Sequence, residues 1–253
     1  AYDIPLRLVC SEMCIRDRSR IYGLELEHML SPYNLNFLVY QNTLIEEHIA
    51  GIPGDDFINE MLMKCTKVEK NQIAKSFVKF NERCMIRLLG DMRSYNYVIT
   101  PIHDFDKVIY KIRSIDFDQQ SFEGNLKVYR PQFFKENLKM VELVKNCLSK
   151  SSVDQYKIEE RAIVARRILS NESRLTHLLK CMLNDHISTK ENIFKLRNEI
   201  FKLTSYSMFK KSNSMLSLIH ISETTRRRGI SYAVYRMKKK KEGGGGGGGG
   251  GGG

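Results

Sequence analysis

A regular pattern of apolar residues between positions 69 and 88 has the period of an α-helix. Apolar side chains recur there at intervals of four, three, four and four residues, at Ile73, Phe77, Phe80, Cys84 and Leu88. Residues at this spacing lie on one face of a helix, and such a face is normally buried against the rest of the fold. The pattern therefore predicts an amphipathic helix with one buried side.

A different pattern before this helix predicts a β-hairpin. Residues 35–40 and residues 43–51 are two apolar, strand-like runs, and only Gln41 and Asn42 separate them. Two runs of this kind joined by two turn-forming residues favour antiparallel pairing.

After the helix the period changes again to that of strands. Residues 96–100 and residues 107–118 predict a second pair of strands, and we place the turn between them at residues 103–106. In the second run, alternate residues share one face of the strand. Its apolar face consists of Val108, Tyr110 and Ile112.

Two further boundaries can be placed from turn-forming residues. Residues 19–30 predict the end of a helix that stops at the Ser-Pro pair of positions 31 and 32. Residues 51–56 predict a loop, in which Asp55 or Asp56 caps the helix that follows.

The remainder of the chain beyond Pro131 predicts helices. Capping-box patterns at Ser152 and Gln155, and at Ser188 and Glu191, mark two predicted helix starts. With the two strand pairs, these helices make the predicted fold class α+β.

Both ends of the chain resemble translated sequencing-adapter DNA. Residues 216–234, LSLIHISETTRRRGISYAV, resemble one strand of such an adapter, and residues 8–18, LVCSEMCIRDR, resemble the other. The lysine and polyglycine tail that follows fits a read continuing past its template. We therefore expect residues 1–18 and 216–253 to be non-biological, which leaves residues 19–215 for interpretation.

Removing these ends halves the net charge. They hold 11 of the 41 Lys and Arg and 5 of the 29 Asp and Glu, so residues 19–215 carry 30 basic and 24 acidic residues. The net charge is then about +6 instead of the +12 of the whole chain. This weakens the case for a polyanionic partner.

Cysteine spacing and hydropathy narrow the class of protein further. Residues 19–215 contain Cys65, Cys84, Cys147 and Cys181, and no two of them have the spacing of a zinc or redox pair. No apolar run is as long as a membrane span. We therefore expect a reduced, cytoplasmic protein with no membrane partner.

The order of polar residues around the second hairpin resembles that of the protein-kinase-like phosphotransferases. The segment LGDMRSYNYVIT places Asp91 and Asn96 at the spacing of the catalytic loop of that superfamily. Ile115, Asp116 and Phe117 end the hairpin, which is where that superfamily carries its metal-binding Asp. Gly90 matches the variant found in the small-molecule kinases similar to aminoglycoside and choline kinases.

This resemblance implies a function, a cofactor and a role for each residue. ATP and Mg²⁺ are the implied cofactors, and the implied substrate is a hydroxyl of a small molecule. Asp91 would accept or orient the hydroxyl proton, and Arg93 stands where protein kinases carry a phosphate-facing lysine. Asn96 and Asp116 would hold the metal, with Asp118 as an additional carboxylate.

The resemblance also implies a division of residues 19–215. Residues 19–56 would be the remnant of an amino-terminal lobe, with Glu47, His48 and Ile49 as the adenine-facing hinge. Residues 57–215 would be the carboxy-terminal lobe, with the catalytic loop and a helical subdomain. The glycine-rich loop and the nucleotide-gripping lysine would lie before residue 19, so we expect the chain as given to be inactive.

Several positions depart from the pattern or have no role in it. Leu89 stands where the loop histidine is usual, and Asp118 replaces the glycine of the D-F-G motif. Either Glu25 or Glu27 is a candidate partner for the missing lysine. The Gln-Gln pair after Asp118 and residues 129–137 stand out without an assigned role.

Other interpretations stay open. Asp91 and Asn96 can be ordinary turn residues, Asp116 can cap a strand end, and His48 and His103 are more typical of surface histidines than of ligands. A non-catalytic, kinase-like module that binds nucleotide or protein is the main alternative. A basic helical RNA-binding protein is a further one, but the basic residues at 166–169 and 190–202 are more typical of solvated helix faces, so a nucleic-acid partner is disfavoured. The oligomeric state is left open.

Overall fold

The computed structural model describes residues 9–10, 15–33, 35–41, 43–105, 107–185, 187–205 and 207–211. The predicted adapter segment 216–253 lies outside the described residues, as do most of residues 1–14. The adapter interpretation of both ends therefore stays a prediction. The first helix begins at residue 15, so it includes residues 15–18 of the segment that we expect to be non-biological.

The fold is α+β, as the sequence predicts, with two small antiparallel sheets and a larger helical part. The strands are β1 (Val9–Cys10), β2 (Phe37–Tyr40), β3 (Thr43–Glu46), β4 (Ile52–Pro53), β5 (Tyr97–Asp104) and β6 (Lys107–Ser114). The helices are α1 (Ile15–Leu30), α2 (Gly54–Asp56), α3 (Lys67–Arg87), α4 (Leu138–Cys147), α5 (Lys150–Ser170), α6 (Glu172–Asn184) and α7 (Lys190–Thr204). Short π and 3₁₀ turns follow α2, precede β5 and connect β6 to α4.

The first predicted hairpin is confirmed, but it is shorter than expected. Strands β2 and β3 pair from Phe37 with Glu46 to Tyr40 with Thr43, which leaves a two-residue turn. Strand β3 ends at Glu46, and the next residues cross to the other sheet, where Ile52 pairs with Ile99. The predicted hinge thus connects the two sheets.

The second predicted hairpin is also confirmed, with a tighter turn. Strands β5 and β6 pair without interruption as far as Asp104 and Lys107. His103 therefore lies in β5, and the turn predicted at residues 103–106 is wrong by two residues. Phe105, which follows Asp104, has a φ of 47°, as tight two-residue hairpins require.

Helix α3 forms as its apolar period predicts. A capping box at its start joins Thr66 and Glu69, in which each side chain accepts from the backbone of the other. Four of the five predicted apolar residues are buried within the helix. The fifth, Leu88, is buried just beyond it, in a left-handed conformation that ends the helix.

The cap predicted for α2 is wrong. Pro53 occupies the cap position and gives the helix no side-chain hydrogen bond. Asp55 and Asp56 instead lie inside the first turn, because the helix begins at Gly54, directly after β4.

The two predicted capping boxes in the helical part are also wrong, by three residues and by one. Ser149 caps α5 by accepting from the amide of Ser152, so the helix gains most of a turn. Thr189 caps α7. The hydroxyl of Ser188 donates to the carbonyl of Phe122 at 2.6 Å, which ties the start of α7 to the loop after β6.

Two hydrophobic clusters hold these elements together, and both α1 and α3 contribute to each. The first contains residues of both sheets and of α3, among them Leu24, Phe77, Phe80, Ile99, Phe117 and Met140. The second lies among the carboxy-terminal helices, with Leu26, Leu30, Ile86, Val164, Met182 and Leu196 as members. Among the described residues no helix is long and apolar enough to cross a bilayer.

A buried ion pair joins α3 to α5. Arg83 Nη1 lies 2.8 Å from Glu160 Oε1, and the two side chains are 4% and 1% exposed. Arg83 Nη2 also donates to the carbonyl of Ile112 in β6 at 3.1 Å. The Arg83 guanidinium thus connects both helices to the second sheet.

We expect Glu160→Ala to lower the free energy of unfolding by about 3–5 kcal/mol, because it leaves the Arg83 charge buried without its partner. The matched control on the same helix is Asp154→Ala, which breaks an exposed pair with Lys157 at 3.8 Å. That pair should contribute less than about 1 kcal/mol. Urea denaturation measures both, and equal losses in the two variants would contradict a structural role for the buried pair.

Candidate functional site

The loop that follows α3 is held by apolar packing at Leu89, the position at which the predicted catalytic loop departs from its usual histidine. Leu89 is fully buried in the first hydrophobic cluster. Its backbone amide donates to the carbonyl of Cys84 at 3.0 Å, and its backbone forms an isolated antiparallel bridge with Gln120. The departure at position 89 therefore leaves the loop well anchored.

Asp91 lies at the turn of this loop in a left-handed conformation, with a φ of 55°. Its amide donates to the carbonyl of Val128 at 3.2 Å, and the amide of Gly90 donates to the carbonyl of Gln119 at 3.1 Å. A Cβ at position 90 would lie 3.0 Å from Val128 Cγ1 and 3.1 Å from the Gln119 oxygen, so the close approach favours glycine. A non-glycine residue held at positive φ costs about 1–3 kcal/mol and occurs often at functional sites.

Asn96 joins this loop to the end of the second hairpin. Its side-chain Nδ2 donates to the carbonyl of Asp91 at 2.7 Å. Its own carbonyl accepts from the amide of Ile115 at 3.1 Å. Because the amide nitrogen is bound to Asp91, the amide oxygen is the end of the side chain that can bind a ligand.

Asp116 lies just beyond β6, one residue after the contact with Asn96. Its Oδ1 accepts from the backbone amide of Asp118 at 3.0 Å. Burial raises the pKa of Asp116 above its usual value, and the negative charges of Asp118 and Asp91 raise it further, against the opposing effects of the Asp118 amide and the Arg20 guanidinium. The structure thus brings Asp91, Asn96 and Asp116 together at the end of the second sheet where β5 begins and β6 ends. We call this end of the sheet the edge that carries the candidate site.

Arg93 and Glu136 flank Asp91. Arg93 Nε donates to Asp91 Oδ1, and Arg93 Nη1 donates to Glu136 Oε1, both at 2.8 Å. The guanidinium also lies over the ring of Phe134, 5.2 Å from its centroid. Arg93 therefore orients the Asp91 carboxylate and is itself held from the other side.

Residues 129–137, which the sequence marks as unusual, support the loop from behind. Asn137 is fully buried, and its Nδ2 donates to the carbonyls of Met92 and Pro131 at 2.9 and 2.8 Å. Its Oδ1 accepts from the hydroxyl of Tyr97 at 2.9 Å. The sequence singles out this stretch, but no local pattern shows that Asn137 and Glu136 reach back to residues 40 or more positions earlier.

Gln120, the second residue of the Gln-Gln pair, has a similar supporting role. Its buried Nε2 donates to the carbonyl of Arg87 and to the hydroxyl of Ser121. The amide of Ser121 donates to the carbonyl of Leu88 at 2.8 Å, and the hydroxyl of Ser19 donates to the carbonyl of Gln120 at 2.8 Å. These bonds connect the end of α3, the loop after β6 and α1.

Arg20 of α1 is the residue that the sequence does not reveal at all. Its Nε and Nη2 lie 2.5 and 2.7 Å from the two carboxylate oxygens of Glu46. Its Nη1 lies 2.9 Å from Asp118 Oδ1 and 3.4 Å from Asp116 Oδ1. An arginine near the start of a helix carries no motif, so only the fold could place it beside the acidic loop.

The predicted hinge residues, 47–49, follow Glu46 in the connection from β3 to β4. The amide of Glu47 donates to the carbonyl of Asn36 at 2.9 Å, and its carboxylate accepts from the Asn36 amide. His48 is exposed and Ile49 is buried. No hydrogen bond is described between these three residues and Asp91 or Asp116, and the link to the acidic loop runs through the preceding residue, Glu46.

Glu25 and Glu27, the candidate partners of the expected nucleotide-gripping lysine, both pair with arginines outside this site. Glu25 pairs with Arg174 at 2.7 Å, and Glu27 pairs with the buried Arg87. His103, like His48, is exposed.

A ready-made metal site of three or more His, Cys, Asp or Glu side chains is not found in the part of the chain that the structure describes. The predicted metal-binding set differs in kind, because Asn96 contributes an amide oxygen. Of its two carboxylates, Asp118 uses Oδ1 to bind Arg20, and Asp116 shares Oδ1 between Arg20 and a backbone amide.

No known family model, curated protein or solved structure matches this chain. The interpretation of the site therefore depends on its residues and their geometry.

We expect Asp116→Asn to stabilise the fold near neutral pH in the presence of a chelator. The pKa of Asp116 is higher in the fold than in the unfolded chain, so the unfolded state ionises first as the pH rises. Stability is therefore lost between the ordinary aspartate pKa of about 3.9 and the raised pKa of the fold. Asparagine removes this loss.

Thermal unfolding of both proteins across this pH range measures the difference, which should vanish where Asp116 is protonated in both states. Asp154→Asn, an exposed aspartate of α5, is the control and should change the melting temperature little at any pH. An Asp116→Asn protein that is less stable than the wild type near neutral pH would contradict the burial of an excess negative charge.

Proposed function

We propose that this chain belongs to an ATP- and Mg²⁺-dependent phosphotransferase of the kinase-like class, which acts on a hydroxyl group of a small molecule. The observation that carries the proposal is the double contact of Asn96, which binds the Asp91 carbonyl on one side and the Ile115 amide on the other. This contact brings the proposed catalytic carboxylate and the proposed metal-binding Asp116 to the same edge.

The order of elements supports the same proposal. A helix, α3, leads into the Asp91 loop, the β5–β6 hairpin follows, and Asp116 comes directly after it. Strand β3 and the connection to β4 precede them, which is the place of the hinge in kinase-like enzymes. In this proposal residues 19–56 are the remnant of the amino-terminal lobe, and residues 57–215 are the carboxy-terminal lobe.

In the proposed reaction, the substrate hydroxyl oxygen forms a bond to the γ-phosphorus of ATP. The bond between that phosphorus and the β,γ-bridging oxygen breaks, and ADP leaves with the electron pair. The hydroxyl proton passes to Asp91 and then to solvent. Because Arg93 holds Oδ1 of Asp91, Oδ2 is the oxygen that accepts this proton.

The residues at this edge fit a divalent cation. Magnesium prefers oxygen ligands, and the amide oxygen of Asn96 and Oδ2 of Asp116 are oxygens of that kind. Glu46, Asp116 and Asp118 surround the single positive charge of Arg20, so two negative charges are left over. Bound Mg²⁺ would neutralise this surplus together with part of the phosphate charge.

The adenine of ATP would bind along the hinge. Since the amide of Glu47 is bound to Asn36, the backbone of His48 and Ile49 is left as the part that can face the nucleotide. We also propose a cytoplasmic location, where ATP is available and where Cys65, Cys84, Cys147 and Cys181 stay free thiols.

A non-catalytic nucleotide-binding relative is the second candidate. Leu89 favours it, because this position lacks the histidine that usually orients the catalytic loop. The RNA-binding alternative has less support, because Arg167 of the basic stretch 166–169 is used inside the fold. Its Nε donates to the carbonyl of Met29 at the end of α1, at 3.2 Å.

We expect the chain to bind ATP more tightly with Mg²⁺ than without it. Asp116→Asn should weaken this Mg²⁺-dependent part about a hundredfold, because even residues that only support a metal ligand contribute about 10- to 100-fold. Titration calorimetry with and without Mg²⁺ measures it. Asp154→Asn, which changes an exposed aspartate in the same way, should bind like the wild type.

Phosphate transfer is tested on the reading frame extended upstream of residue 19, where the resemblance implies the glycine-rich loop. Transfer of the γ-phosphate to a hydroxyl compound that is lost in Asp91→Asn supports the enzyme. Mg²⁺-dependent binding without transfer supports the non-catalytic relative. ATP affinity that is indifferent to Mg²⁺ and to Asp116 would rule out both.

A further inference from the structure

Helix α1 is docked on the acidic loop, residues 116–120, at three successive points. The hydroxyl of Ser19 donates to the carbonyl of Gln120 at 2.8 Å. Arg20 contacts Asp116 and Asp118. At Gly23, a Cβ would lie 2.9 Å from Phe117 Cβ and 3.2 Å from the Phe117 oxygen, so the helix and the loop approach too closely for a larger residue.

The Arg20 guanidinium is held in a fixed orientation within this contact. Glu46 binds Nε and Nη2 in the two-pronged geometry that suits a carboxylate. The remaining nitrogen, Nη1, is thereby directed at Oδ1 of both Asp116 and Asp118. A planar fork that is anchored at one end suits this geometry, and a lysine ammonium lacks the second prong that fixes its orientation.

The arrangement leaves one side of Asp116 available. Its Oδ1 is occupied by Arg20 and by the Asp118 amide, which fixes the rotation of the carboxylate. Its Oδ2 has no hydrogen bond described. The carboxylate comes directly after Ile115, whose amide is bound to the carbonyl of Asn96. The charge of Arg20 offsets one of the three carboxylates around it and leaves two, which matches a divalent cation.

We propose that Arg20 is the positioning residue for the divalent cation that accompanies the nucleotide. It holds Asp116 and Asp118 through their Oδ1 atoms while Glu46 holds Arg20, and Oδ2 of Asp116 stays free to bind the metal. This inference rests on the proposed function. It adds a supporting role through Arg20 to the metal contact that the sequence predicts for Asp118.

The test measures binding of Mn²⁺ to the chain in the presence of ATP, by electron paramagnetic resonance of the free ion. We expect Arg20→Gln to weaken Mn²⁺ binding about tenfold or more, in the range found when supporting residues of metal ligands are removed. Arg20→Lys keeps the charge but loses the fork, so an intermediate loss is expected. Glu46→Gln should weaken binding in the same direction, because it loosens the anchor of Arg20.

Arg174→Gln is the matched control. Arg174 also pairs with a glutamate of α1, Glu25, at 2.7 Å, but this pair is exposed, and neither residue has a contact described with residues 116–120. The control should bind Mn²⁺ like the wild type. Circular dichroism and thermal unfolding of every variant show whether it is folded, and Arg20→Lys provides a folded comparison if Arg20→Gln is not.

Each outcome separates this inference from the proposed function. Unchanged Mn²⁺ affinity in folded Arg20→Gln and Arg20→Lys would overturn the positioning role and leave the function standing. Tighter Mn²⁺ binding in Arg20→Gln would also overturn it, since Arg20 would then compete with the metal. Absence of ATP-dependent Mn²⁺ binding in the wild type, with no effect of Asp116→Asn, would overturn the proposed function and this inference with it.

Discussion

The pairing of the Asp91 loop with the segment after Asp116 is the constraint on which the candidate site depends. Backbone bonds between residues 88–90 and 119–121, with the buried amide of Gln120 beside them, join two segments that lie about 30 positions apart in the chain. Both segments leave regular structure at this point, one from α3 and the other from β6. Together with the two contacts of Asn96, these bonds fix the position of the Asp91 carboxylate relative to that of Asp116.

The edge that results carries more negative charge than its contacts neutralise. Burial and neighbouring carboxylates raise the pKa of Asp116 even though Arg20 lies beside it. Apolar packing and buried hydrogen bonds elsewhere, at Leu89 and Asn137, compensate for this local cost. Such a balance is typical of sites in which a ligand completes the charge, and it is the physical basis on which we propose a nucleotide and its metal here.

Local patterns were reliable where the structure follows from neighbouring residues. The period of α3, the two-residue turn at Gln41 and the alternation of β6 were all predicted and are confirmed. Helix caps were predicted poorly, because several hydroxyl or carboxylate side chains near each start could act as caps. At Ser188 the hydroxyl bonds to a distant carbonyl and leaves the cap to Thr189.

The sequence by itself determined the α+β fold class and the elements around the second hairpin, because each depends on the identity and spacing of residues close in the chain. The roles of Asp91, Asn96 and Asp116 come from a family resemblance and stay predictions. Only the tertiary structure placed Arg20, Gln120 and Glu136 at the site. Their distant partners lie between 26 and 98 positions away. Contacts at that range are decided by how α1 and the loops pack against the core, which no local pattern records.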